Sequence, residues 1–260
     1  MRYKFIEKAG IETFPSTWEE FWSCCDKLSA AGITPLALHT DGTGWAPMLF
    51  ATAELGSSSE DGMAFMRQIY PDTYQNDSGL ELARTLKQLF NYTTSNALYT
   101  DYDTAHKNFF SGEVAMIPNG YWMIDQIPDG WEQKTRFSAF PGNVLISSPE
   151  TFGWALTSDS DENVKKGAVE FFKFRTEYNL HEKEDFFFQD TKYHSQVEKD
   201  YIHAFQSSPI FVPNYQVKWN SIFQEITISK YLPQLAEGRI TPEDFTRYAD
   251  DSIRQFEEEQ

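Results

Sequence analysis

Residues 108–122 read NFFSGEVAMIPNGYW, and the fold turns on how this stretch is divided. The run EVAMI (113–117) is predicted as a short strand, apolar enough to lie inside a sheet. Asn119-Gly120 ends it as a turn. Tyr121 and Trp122 follow at once, where a sequence needing only a turn would place small polar residues. A helix is expected to start on this pair and run to Ile127, broken by Pro128-Asp129-Gly130. A strand that ends on two large aromatic side chains delivers them to a sheet edge, so both become candidates for ligand contact.

Toward the N terminus, a helix is expected from Asp103, and LELARTLKQLFNY (80–92) has helical periodicity through Leu82, Leu86, Leu89 and Phe90. The polar stretches SSSEDG (57–62) and YPDTYQNDSG (70–79) are predicted as surface loops. The apolar run APMLFATAEL (46–55) follows a Gly-rich loop, HTDGTGW (39–45). That loop in turn follows ITPLAL (33–38), a short strand whose Pro35 suggests an edge position. Thr17-Trp18-Glu19-Glu20 has the form of a capping box. The helix 18–31 comes next, with Trp18, Phe21, Trp22, Cys25 and Leu28 on one face and Gly32 as its stop.

Toward the C terminus, TRFSAF (135–140) and TFGWALTS (151–158) read as strands. Segments 161–176, 197–207, 215–231 and 242–257 read as helices, the last capped by Thr241 with Pro242 at the first helical position. Strands alternating with helices to residue 158, then helices alone, describe an α/β layered fold.

Composition narrows function. Acidic residues outnumber basic ones 39 to 22, for a net charge of −17, so the electrostatic footprint of a nucleic-acid or anionic-membrane binder is missing. The first residues, MRYKF, lead into Glu7 and Lys8 rather than into the apolar centre of an export signal. With 22 Phe, 13 Tyr and 7 Trp, the chain holds more aromatic surface than a core of its size needs, and a share is expected to face a ligand. Cys24 and Cys25 are adjacent; consecutive Cα atoms lie about 3.8 Å apart and disulfides want roughly 5–6 Å, so both are predicted as buried thiols. No cofactor is expected.

Three blocks, in order, resemble the extracellular solute-binding proteins of sugar ABC importers, the group that includes maltose-binding protein. PSTWEEFWSCCDKLSAAGITPLAL (15–38) is similar to the family's Thr-Trp-Glu-Glu helix and following strand. NFFSGEVAMIPNGYW (108–122) resembles its Gly, Ala-Met, Asn-Gly and Trp signature, and FGWALTSDSDENVKKGAVEFFKF (152–174) the strand and helix that recross between lobes. YLPQLAEGRITPEDF (231–245) is similar to its C-terminal motif. The resemblance implies a type II periplasmic-binding-protein-like fold, with the second lobe at 1–150, a hinge strand and partial first-lobe return at 151–210, and helices packing back on the second lobe at 211–260. It implies a non-enzymatic protein that closes about a sugar or oligosaccharide and presents it to transporter permease subunits. The location implied is extracellular, cell-surface or periplasmic, with any membrane association through a lipoprotein anchor this chain lacks. The Thr-Trp-Glu-Glu block, normally well inside the chain, begins at residue 17, which implies a sequence shortened at its N terminus and missing much of the opposite cleft wall.

Under the resemblance Trp122 matches the family's stacking Trp, and Trp45 and Trp219 occupy cleft-like positions. Each also suits a plain core role: Trp45 as the anchor of a helix start, Trp219 as part of a helix face with Ile222, Phe223 and Ile226. Tyr121 is the companion of Trp122. Polar partners for sugar hydroxyls would come from His39, Asp41 and Asn119. Asp41 otherwise serves a turn, and Asn119 otherwise holds a left-handed turn conformation. Gly153 is read as a hinge, with Phe152 and Trp154 on opposite faces of its strand. Two alternatives stay open: a shortened, non-binding interaction module, and a glycoside hydrolase drawing a carboxylate pair from Asp41, Asp101, Asp103, Glu113 and Asp125. No metal site is expected. Asp159 to Glu170 echoes a calcium loop, but Val164 stands where such a loop needs Gly.

Overall fold

The structure, a computed structural model, describes residues 5, 8–41, 43–68, 71–147, 156–188, 194–207, 209–214 and 222–259. They form two compact units, one of residues 1–147 with 196–260 and one of 148–195.

The first unit begins with α1 (Trp18–Ala30), started by the expected capping box: the Thr17 hydroxyl accepts from the Glu20 amide at 3.2 Å, and the Glu20 carboxylate accepts from the Thr17 amide at 3.3 Å. It ends at Gly32 (φ 71°), where the Ile33 amide reaches back to the Leu28 carbonyl at 3.0 Å. Strand β1 (Thr34–Leu36) follows, then α2 (Trp45–Ser58), α3 (Glu60–Arg67), α4 (Asp77–Leu89) and α5 (Tyr102–Ser111). Strand β2 (Val114–Met116) lies parallel to β1, with Thr34 opposite Val114 and Leu36 opposite Met116. After it come a 3-10 turn (Tyr121–Gln126) and β3 (Val144–Ser147). Helix α6 (Glu162–Phe188) belongs to the second unit, and α7 (Gln196–Gln206) returns to the first. Strand β4 (Ile210–Pro213) pairs parallel with β3, Val144 opposite Ile210. A π-helix (Phe223–Tyr231), α8 (Leu232–Ala236) and α9 (Pro242–Glu258) complete the first unit.

Helix α2 is the axis of this unit. From Ala46 to Ala53, and again at Leu55 and Gly56, every residue is buried, as a helix covered on all sides requires. Met48, Ala51, Ala53 and Leu55 join a core with α3, α4, β3, β4, α8 and α9, while Ala46 and Phe50 join a second core with α1 and both strands of the first sheet. Gly56 makes the approach to β4 possible: a β-carbon there would stand 2.4 Å from Val212 Cγ1. Polar ties flank the axis. Trp18 Nε1 donates to Ser57 Oγ at 3.0 Å and Trp22 Nε1 to Glu54 Oε1 at 3.0 Å, and Thr85 Oγ1 of α4 donates to Glu54 Oε2 at 3.0 Å. Desolvation raises the Glu54 pKa, with the Trp22 and Thr85 hydrogen bonds opposing it.

Several expectations are corrected. The stretches 57–62 and 70–79 are not wholly loops, because their polar residues are helix caps: Ser59 accepts from the Gly62 amide at 2.9 Å to start α3, and Asn76 from the Gly79 amide at 2.8 Å to start α4. TRFSAF (135–140) is not a strand. The pairing falls instead on Val144–Ser147, whose partner Ile210–Pro213 is supplied from far along the chain. The turn at 121–126 is 3-10 rather than α-helical, and 223–231 has the wider π repeat. The 151–158 reading lies outside the described residues as far as 155, and the 215–231 reading as far as 221. Both cysteines are buried free thiols, and burial pushes Cys24 up to about 11 and Cys25 higher still.

In the second unit, α6 shows no buried side chain among the described residues. Val164, Phe171, Phe174 and Tyr178 are exposed at spacings that align them along one face. Asp161 caps the helix through the Asn163 and Val164 amides at 2.8 and 3.0 Å, so the calcium-like spacing is a helix start.

Candidate ligand-binding site

Two loops leave the C-terminal ends of the parallel strands β1 and β2, the place where open α/β sheets collect ligands. The first, after β1, is tied down by Thr40, whose hydroxyl donates to the Leu98 carbonyl at 2.6 Å and whose amide donates to the Thr100 carbonyl at 3.2 Å. It re-enters α2 at Gly44, which has φ +57° and would place a β-carbon 2.6 Å from Ile228 Cγ2 of the π-helix. Only glycine meets both demands, and Trp45 therefore starts the helix beside the loop. Asp41 is exposed, and its carboxylate has no hydrogen-bond partner among the described residues.

The second loop follows β2. Asn119 does not adopt a left-handed conformation, since Asn143 alone among described non-glycine residues has positive φ. Its side chain organises the turn instead: Oδ1 accepts from the Gly120 amide at 2.9 Å, and Nδ2 donates to Tyr102 Oη at 3.1 Å. Tyr102 Oη donates to Gln126 Oε1 at 2.9 Å, so both ends of the 3-10 turn are tied to one phenol.

The two loops meet through rings. Trp45 and Trp122 lie 5.7 Å apart at 42°, and Trp122 and Tyr121 5.9 Å apart at 68°. Tyr121 is 58% exposed and Trp122 45%, unusually open for such large apolar groups. Tyr201 of α7 continues the row 6.4 Å from Tyr121, and Phe137 stands 5.0 Å from Tyr201. Burial, then the neighbouring Tyr121, raises the Tyr201 pKa. Behind the row, His39 is 5% exposed, packed against Trp45 at 5.7 Å and Tyr102 at 5.5 Å. Burial lowers its pKa against the opposing Asp101 charge, and its Nδ1 has no hydrogen-bond partner among the described residues. His39 thus backs the rings rather than reaching the surface.

The structure brings together His39, Trp45, Asn119, Tyr121 and Trp122, with Asp41 on the same loop as His39. Trp219, Phe152, Gly153 and Trp154 lie outside the described residues. Sequence reasoning missed Tyr102 and Tyr201, which carry no local motif and join the site only through long-range folding. Among the described residues no group of His, Cys, Asp or Glu could hold a metal ion, and no helix is long and apolar enough to cross a membrane.

The fold recurs in solved structures. A chitin oligosaccharide binding protein is 23% identical with a TM-score of 0.74, the match covering 98% of this chain and 68% of that one. A Streptococcus pneumoniae solute-binding protein, in complex with the blood group A-trisaccharide, is 18% identical with a TM-score of 0.73, over 98% of this chain and 68% of that one. A manno-oligosaccharide specific solute binding protein from Bifidobacterium animalis subsp. lactis, in complex with mannotriose, is 16% identical with a TM-score of 0.61, over 100% of this chain and 68% of that one. No curated protein matches by sequence. Residues 2–181 match the family model described as bacterial extracellular solute-binding protein. The chain belongs to that family, whose members bind their ligands without transforming them.

Proposed function

We propose that this chain is the carbohydrate-binding component of an ABC importer, and that the Trp45–Trp122–Tyr121 row is where the sugar stacks. The observation that carries this is the exposed Trp122–Tyr121 pair on the loop after β2, in ring contact with Trp45 from the loop after the parallel strand β1. Sugars offer flat C–H faces and a rim of hydroxyls, which call for rings beneath and acceptors at the side. Asp41, with a free carboxylate on the loop after β1, suits the rim, and Asn119 on the loop after β2 is proposed as a second polar group. His39 serves as backing for Trp45. Trp219 as a further contact, and Phe152, Gly153 and Trp154 as a hinge, are part of the same proposal.

This chain matches 68% of each of the similar structures, which leaves about a third of their length outside the match. We place the facing wall of the cleft in that remaining third, with permease subunits as the partner and a location outside the cytoplasmic membrane, lipid-anchored or periplasmic. The exposed apolar face of α6 supports a second reading, an interaction module that docks on another chain. A glycoside hydrolase is set aside by the family, which is non-enzymatic.

Calorimetric titration with a panel of mono- and oligosaccharides tests the proposal. Heat of binding that Trp122→Ala abolishes is the expected result; no heat from any sugar overturns it.

A further inference from the structure

The aromatic surface does not stop at Tyr121. We propose that Tyr201 forms a further stacking position and that the site is built for an uncharged oligosaccharide of at least three units rather than a monosaccharide; this rests on the carbohydrate reading above.

Continuity is the first argument. Trp45 meets Trp122, Trp122 meets Tyr121 and Tyr121 meets Tyr201 at centroid distances of 5.7, 5.9 and 6.4 Å, so that four rings from separate parts of the chain adjoin one another and offer more aromatic surface than one sugar ring can cover. Orientation is the second. The planes turn by 68° between Trp122 and Tyr121 and by 45° between Tyr121 and Tyr201. One rigid planar ligand cannot lie flat on these rings together, whereas a chain with rotatable glycosidic bonds can.

The third argument is that Tyr201 is held in place before any ligand arrives. Its neighbour Asp200, with only 10% of its side chain exposed, accepts from Arg136 Nε at 2.5 Å and Nη2 at 2.9 Å, and from the Phe137 amide at 3.2 Å. One carboxylate therefore fixes both Tyr201 and the Phe137 ring that backs it. A platform fixed in the free protein leaves less ordering cost for binding. Charge is the fourth: Asp41 and Asp125 are exposed on the two loops of a chain carrying −17, which disfavours anionic sugars.

The test is calorimetric titration of the full chain with the mono-, di- and trisaccharides of β-1,4-linked N-acetylglucosamine, mannose and xylose. In the series that binds, the trisaccharide should be at least about tenfold tighter than its monosaccharide. Tyr201→Ala should shrink that ratio to below about threefold, and Tyr201→Phe should restore it, because the ring and not the hydroxyl does the stacking. Equal affinity across lengths, or a ratio unchanged by Tyr201→Ala in a variant that melts normally, overturns the inference and leaves carbohydrate binding standing. Binding of none of these sugars overturns both.

Discussion

The indole of Trp122 lies on the α-carbon of Gly120: a β-carbon at residue 120 would stand 2.2 Å from Cη2 and Cζ3 of the ring. Gly120 itself has φ −104° and ψ 178°, ordinary extended backbone, so glycine is required here by the ring and not by the chain's conformation. Gly120→Ala is expected to swing the indole off its seat. Sugar affinity should fall about tenfold or more, with an altered tryptophan emission spectrum and little change in melting temperature, because the displaced ring is already exposed.

Gly44 makes the opposite case. There the backbone is left-handed and the space is filled by Ile228, so Gly44→Ala meets both strain and a clash. A left-handed non-glycine residue costs about 1–2 kcal/mol before the contact is counted. Denaturant unfolding should show at least that loss.

Asp250, 9% exposed, accepts from Thr73 Oγ1 at 2.6 Å, the Tyr74 amide at 2.5 Å and Gln75 Nε2 at 2.7 Å. It fastens the 73–75 loop to α9 by one carboxylate. Asp250→Ala leaves the buried Tyr74 amide without its acceptor, an expected loss of about 3 kcal/mol in equilibrium unfolding, with sugar binding retained in the folded fraction.

Glu54 predicts a pH dependence. Its folded pKa lies above its unfolded one because burial disfavours the charge. The folded state therefore holds the proton more tightly, and stability from this group falls as pH rises from the unfolded value, about 4.3, through the raised folded value. Glu54→Gln can keep partners for Trp22 and Thr85 while removing the charge. Its stability relative to the parent should grow across that window and level off above it, as melting temperatures measured against pH would show.

His39 titrates with the other sign. Burial lowers its folded pKa, so its contribution is complete above the unfolded value, about 6.5, and is lost as pH falls through the folded value. His39→Phe keeps a ring behind Trp45 and should flatten the melting curve on the acid side of neutrality.

What the sequence made legible were features whose signals are local. The Thr17 capping box, the helix face of α1, the Thr241-Pro242 start of α9, and the Tyr121–Trp122 pair after β2 each announce themselves within a few residues. The strand at Val144–Ser147 did not, because four residues become a strand only when Ile210–Pro213 comes alongside. The caps Ser59 and Asn76 were hidden by their own chemistry, since the residues that start helices also populate loops. Tyr201 was illegible for a third reason. It comes beside Tyr121 on a helix supplied from far along the chain, with the Arg136–Asp200 ion pair holding the neighbouring residue, and neither ion-pair partner carries a motif.

Helix α2 has a further consequence. Because its two sides belong to different hydrophobic cores, neither core can come apart without stripping the helix that completes the other. The unit of residues 1–147 and 196–260 should therefore melt in a single cooperative step, and a sugar resting on Trp45, at the helix's first residue, should shift that whole transition rather than loosen or tighten one half of it.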